Sequence, residues 1–237
     1  MMGHSHALSG AVAWLALAPA AAAAAGHPLS GASVLGGTLA CAGAALLPDM
    51  DHPDGTIAHF FGLPSEWVAK LVSWISGGHR HATHSLIFCA VTGGGTFALQ
   101  HYVGHKAMLV LLLVLIGLAI RGLGIAPPRA GKHWAGFAIL LQSILVTWVV
   151  DSHIDGPWLW MVPSVTLGTF MHLFGDCLTR QGCPLLWPVR QRFGIHLISR
   201  TGNWLETKLL APLMTIAAAG LFGYLFWSSF LNYWQKA

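Results

Sequence analysis

Residues 107–123 read AMLVLLLVLIGLAIRGL, with Arg121 as the single charge. A run of this length is, as a helix rising 1.5 Å per residue, long enough to cross most of a hydrocarbon core about 30 Å thick. In lipid no water meets the backbone N–H and C=O groups, so such a segment must be helical. Working outward, six further apolar stretches of similar length stand at about 7–25, 29–48, 84–100, 133–150, 158–178 and 209–231. The whole chain repeats the pattern: 8% of its residues are charged and 55% hydrophobic, with a mean hydropathy of +0.63. Soluble domains carry about 25% charged residues. The sequence therefore predicts an all-α, polytopic transmembrane bundle of about seven spans, one integral-membrane domain over residues 1–237, with the lipid bilayer as its first partner and no nucleic-acid partner. The Ala-rich first span holds Pro19, but Met1–His6 supplies none of the Lys or Arg of a signal-peptide n-region, so it is read as a retained helix.

Alternating spans place residues 49–83, 124–132 and 179–208 on the same face as the N-terminus. That face or its helix ends hold Lys70, Arg80, Arg121, Arg129, Lys132, Arg180, Arg190, Arg192, Arg200 and Lys208, whereas the opposite face holds Lys106 and Lys236. Excess Lys and Arg mark the cytoplasmic side, so the N-terminus is predicted to be internal, in a bacterial inner membrane.

The same parity gathers the His- and Asp-bearing segments on that cytoplasmic face. Asp49, Asp51 and His52 follow the second span between Pro48 and Pro53; two carboxylates so close repel unless a cation lies between them. His79, His81 and His84 crowd into six residues before the third span, where Thr83 is a candidate helix cap. His172 and Asp176 are four apart, which puts both on one face of the sixth span. His6 stands at the start of the first span, with His4 as its competitor. Ionisable groups at membrane depth are costly and point to function. The opposite face carries its own set, His101, His105, Asp151, His153 and Asp155, read as loop residues. Cys41, Cys89, Cys177 and Cys183 lack zinc-pair spacing and are read as packing residues.

The strings LLPDMDHP (46–53), GHRHATHSL (78–86), HLFGDCLTRQGCPLLWP (172–188) and VRQRFGIHL (189–197) resemble the YdjM-like family of bacterial inner-membrane proteins, regarded as metal-dependent hydrolases. The resemblance implies a metal set of His6, Asp49, Asp51, His52, His79, His84, His172 and Asp176. The chain departs from that pattern at His81, where the family has Gly, and over about 101–157, where it has an extra pair of apolar spans.

Eight candidate ligands exceed the three protein ligands of a usual catalytic zinc site. They predict two divalent ions, zinc by preference with manganese or iron as alternatives, bridged by Asp49 or Asp51 and activating a water for phosphoester hydrolysis. In that scheme Asp49 and Arg80 are catalytic, and Arg80, Arg190 and Arg192 bind substrate. Trp187 with its neighbouring Pro and Leu residues forms an apolar patch suited to an amphiphilic, lipid-like substrate. Residues 64–76 read as a short amphipathic helix on the membrane. The competing reading is a metal transporter or a non-hydrolytic metal-binding protein. It is disfavoured because His and Asp sit at span ends while span centres are nearly free of polar groups.

Overall fold

The computed structural model describes residues 1–52, 63–125, 132–154, 158–189 and 191–234, so Arg129, Asp155, Arg190 and Lys236 lie outside the described residues. Eight α-helices are described: α1 (Gly3–Ala24), α2 (Gly31–Ala44), α3 (Leu63–Ser76), α4 (Leu86–Ala98), α5 (His105–Gly122), α6 (Lys132–Ser152), α7 (Met161–Cys177) and α8 (Ala211–Trp234). Among the described residues there is no β-strand. Wide π-type turns extend α4 through Leu99–Val103 and precede α8 at Leu205–Leu210.

Among the described residues, six stretches are long and apolar enough to cross a membrane: Gly3–Ala24, Gly31–Asp51, Leu86–Val103, His105–Gly122, Trp134–Ser152 and Leu205–Ser228. They coincide with six of the seven expected spans. The seventh, α7, has 17 residues and packs against α1, α2 and α4.

Helix association in lipid depends on close packing more than on expulsion of water, and small residues permit it. α2, rich in Gly and Ala, is the hub, contacting α1, α5, α6, α7 and α8. Gly168 of α7 faces the Cys41 carbonyl of α2 so closely that an added Cβ would collide with it. Trp14, Cys41, Leu112, Leu115, Ile116, Trp158 and Met161 build the main core around this hub. α8 lies on the outside against α1. Its entry is pinned by fully buried Glu206, whose carboxylate accepts the Met2 N–H at 2.6 Å and the Gly202 N–H at 2.7 Å.

α3 does not join the bundle. It packs on the turn after α2 and leaves Trp67, Leu71, Trp74 and Ile75 exposed on one stripe, the pattern of a helix lying along a membrane surface.

Candidate metal centre

α2 ends at Ala44 and the chain tightens into a 3₁₀ turn, Leu47–Asp51, with Pro48 at its start. At three residues per turn, side chains two apart diverge by about 120°. Asp49 and Asp51 accordingly face different partners. After α3, Gly77 (φ 83°), Gly78 (φ 108°) and Arg80 (φ 59°) reverse the chain through left-handed backbone. For Arg80, a non-glycine, that conformation costs about 1–2 kcal/mol. The reversal brings both the His79 ring and the Arg80 N–H onto Asp51, at 2.7 and 3.0 Å.

The sequence suggested Thr83 as a helix cap; the structure gives that role to Ser85, whose side chain accepts from Phe88 N. Thr83 instead sits in a short 3₁₀ turn, Ala82–His84, where its hydroxyl donates to Asp51 Oδ2 and accepts from His84 Nδ1 at 3.0 Å. The loop after α7 folds over this turn. Leu86 N–H bonds the Leu185 carbonyl, and the Cys183 thiol donates to the His84 carbonyl at 3.2 Å. The adjacent Cys177 thiol and burial push the Cys183 thiol up, so it stays protonated. All four cysteines are free, as the packing reading expected.

His172 and Asp176 are fully buried at the end of α7. The His172 Nδ1–H donates to the Ala45 carbonyl at 2.7 Å, which fixes the tautomer and turns Nε2 inward. There it meets His84 Nε2 at 3.2 Å. Asp49 Oδ1 stands 3.6 Å from each of these nitrogens, and Asp176 Oδ2 lies 3.6 Å from His84 Nε2 and 3.8 Å from His172 Nε2. Asp176 Oδ2 is buried and has no hydrogen-bond partner among the described residues. An ion with bonds of about 2.0–2.1 Å to four tetrahedral N or O ligands has ligand-to-ligand edges of about 3.3–3.4 Å. Five of the six edges among these four atoms, at 3.2–3.8 Å, thus approach the size of a divalent-cation cage, and the donor types suit one. Without one, a proton must fill the gap. Burial pulls the His84 imidazole down, but Asp49, Asp51 and Asp176 around it outweigh burial and push it up to about 9.

Other predicted ligands surround the cage. His6 stacks on His172 with ring centres 3.8 Å apart and lies 3.4 Å from Asp176 Oδ1. Two sets of ligand atoms are close enough to share an ion, Asp49, Asp51, His79 and His84 in one and His6, His172 and Asp176 in the other. His52 belongs to neither and packs edge-on against His79. His4 turns away, its Nδ1 3.2 Å from the Gly122 carbonyl. Gly175 leaves room for His6: a Cβ there would come within 3.1 Å of its ring.

Arg80 links the cage to the surface. Its Nη2 donates to Asp176 Oδ1 at 3.1 Å, while its buried Nε and Nη1 find no partner among the described residues. It lines a cleft of about 640 Å³ with His81, Arg192, Trp187, Ile75 and Val189. On the opposite face, His105 and Asp151 pair at 2.7 Å while exposed, and His153 bonds the Val149 carbonyl. No metal-type group of three is found there among the described residues.

The fold and this site define a helical membrane protein with a buried His/Asp centre of metal-binding character. The family model described as "YdjM inner membrane protein" matches residues 1–235, and the chain belongs to that family. It is 28% identical to "Inner membrane protein YdjM" of Escherichia coli (strain K12) and, equally, of Shigella flexneri, over 167 residues that cover 68% of this chain and 54% of each relative. The chain thus spans about half the length of the curated relatives it matches. No solved structure matches it.

Proposed function

We propose that this protein is a membrane-embedded, metal-dependent hydrolase of phosphoesters with an amphiphilic substrate, its centre on the cytoplasmic side of the inner membrane. The observation that carries the reading is the juxtaposition of an inward-facing two-His, two-Asp cage with an arginine that reaches from Asp176 to the lining of an open cleft. His84, His172, Asp49 and Asp176 would hold the cation, zinc by preference. A bound divalent ion supplies Lewis acidity and lowers the pKa of a coordinated water to about 7.

The chain's own groups do the rest. Arg80 keeps Nε and Nη1 as two separate unpaired donors among the described residues, each able to give one hydrogen bond to a phosphoryl oxygen, and Arg192 adds charge at the cleft rim. Asp49 is partly exposed, unlike buried Asp51 and Asp176, so it is the cage carboxylate that would yield its position to a water and take that water's proton. Trp187, Ile75 and Val189 offer an apolar wall, and the exposed stripe of α3 adjoins it, which favours a substrate reached from the leaflet. The ten-to-two Lys and Arg bias supports the cytoplasmic orientation. The test is hydrolysis of a phosphoester panel, lipid and soluble, by metal-loaded wild type and Asp49→Ala. Turnover by wild type that vanishes in the variant supports the proposal, and absence of turnover on every ester overturns it.

A further inference from the structure

Asp49 and Asp51 are two residues apart on one turn, yet among the described residues their oxygens are engaged in different ways. Asp51 is fully buried. Its Oδ1 accepts from His79 Nδ1 at 2.7 Å; its Oδ2 accepts from the Arg80 N–H at 3.0 Å and from the Thr83 hydroxyl, with His84 Nδ1 3.5 Å away. A carboxylate has about four lone-pair sites. Three here receive donors, so both oxygens are engaged, and Oδ2, which takes two of the three, also has His84 Nδ1 beside it. Asp49 has no such sheath among the described residues: its Oδ1 looks at the Nε2 atoms of His84 and His172.

We propose that Asp51 is a positioning carboxylate that binds no ion itself, and that the cage of Asp49, His84, His172 and Asp176 takes one cation per chain. This rests on the metal-binding reading of the site and replaces the two-ion scheme in which Asp51 bridges. Asp51 lies close enough to Asp49, His79 and His84 to share an ion with them, but ligation would strip it of donors supplied by one short segment, residues 79–83. What it does instead follows from the hydrogen-bond chain. His84 Nδ1–H donates to Thr83 Oγ1, and the Thr83 hydroxyl donates on to Asp51. The direction of that chain keeps the His84 proton on Nδ1 and leaves the Nε2 lone pair pointing into the cage. His172 is held in the same sense by the Ala45 carbonyl. Both cage imidazoles thus have their far nitrogens anchored, one by a carboxylate relay and one by the backbone. Losing such outer partners lowers metal affinity about 10–100-fold without removing a ligand.

The experiment is titration of the metal-free, detergent-purified full chain with Co(II) and Zn(II), reading stoichiometry, affinity and the visible Co(II) spectrum. The expected results are one ion per wild-type chain, and in Asp51→Asn one ion held about 10–100-fold more weakly with an unchanged spectrum at saturation. Thr83→Val, which keeps every carboxylate and imidazole, should weaken affinity in the same sense with the same stoichiometry; it carries the test alone if Asp51→Asn does not fold. Asp49→Ala should alter the spectrum. Two ions per wild-type chain falling to one in Asp51→Asn, or a changed Co(II) spectrum at saturation in either outer variant, would overturn the assignment. A wild type that takes up neither metal sinks both this assignment and the proposed function. Metal uptake as described without phosphoester turnover sinks the hydrolase alone and leaves Asp51 in its assigned role.

Discussion

Replacing Arg80 by Lys isolates the step from the metal cage to the substrate. Arg80 keeps one N–H on Asp176 Oδ1 and holds two nitrogens, Nε and Nη1, buried without partners among the described residues. Hydrogen bonds to charged groups are each worth about 1.5–3 kcal/mol. Lys retains the charge and can reach one oxygen, so the loss is about one such bond. That corresponds to roughly 10–150-fold weaker binding of a phosphoryl group. Metal affinity should stay within a few fold of wild type, because Asp176 turns Oδ1 to Arg80 and Oδ2 to the cage. Calorimetric titration of metal-loaded Arg80→Lys with inorganic phosphate, alongside chelator competition for the metal, reads both quantities. Unchanged phosphate affinity would refute the role given to the guanidinium. A parallel collapse of metal binding would refute the separation of Asp176's two oxygens.

Three further outcomes follow from the same geometry. Because His84 in the metal-free protein is raised from its ordinary 6.5 to about 9, a cation must displace its proton. Apparent metal affinity should therefore climb about tenfold per pH unit between pH 7 and 9, with proton release on binding; a flat profile contradicts this. By linkage, the contribution of His84 to the metal-free fold is complete below about pH 6.5 and falls by on the order of 3 kcal/mol as pH rises through 9, a loss the loaded protein should lack in thermal melts. Gly175→Ala puts a Cβ 3.1 Å from the His6 ring and should cost about 1–3 kcal/mol of stability, read as a lowered melting temperature. Glu206→Ala leaves the N–H groups of Met2 and Gly202 without acceptors, for a loss of about 2–5 kcal/mol measured in the same way.

The spans and the meeting of the His and Asp segments were legible in the sequence because hydropathy and parity are one-dimensional signals. Phase was not. His4 and His6 are about 200° apart on a helix, so only one can face the bundle, and nothing in the local sequence says which; α1 turns His6 inward and sends His4 to Gly122. Asp49 and Asp51 pose the same problem on a 3₁₀ turn, whose 120° step sends one to the cage and the other to residues 79–83. Thr83 looked like a helix cap because Ser85, two residues on, competes for that role with the same chemistry. Partners supplied by the backbone, such as the Ala45 carbonyl on His172, carry no sequence signal. α7 was marked as a span by its apolar run, and its depth in the bundle follows from glycine contacts visible only in three dimensions.

The central claim is that Asp49, His84, His172 and Asp176 converge to hold a divalent cation. Metal per chain, measured by mass spectrometry on folded wild type and His172→Ala after equilibration with zinc and a chelator wash, tests it most directly. Retention of zinc by the wild type and its loss from the variant is the expected result; equal retention in both, or none in the wild type, would contradict it.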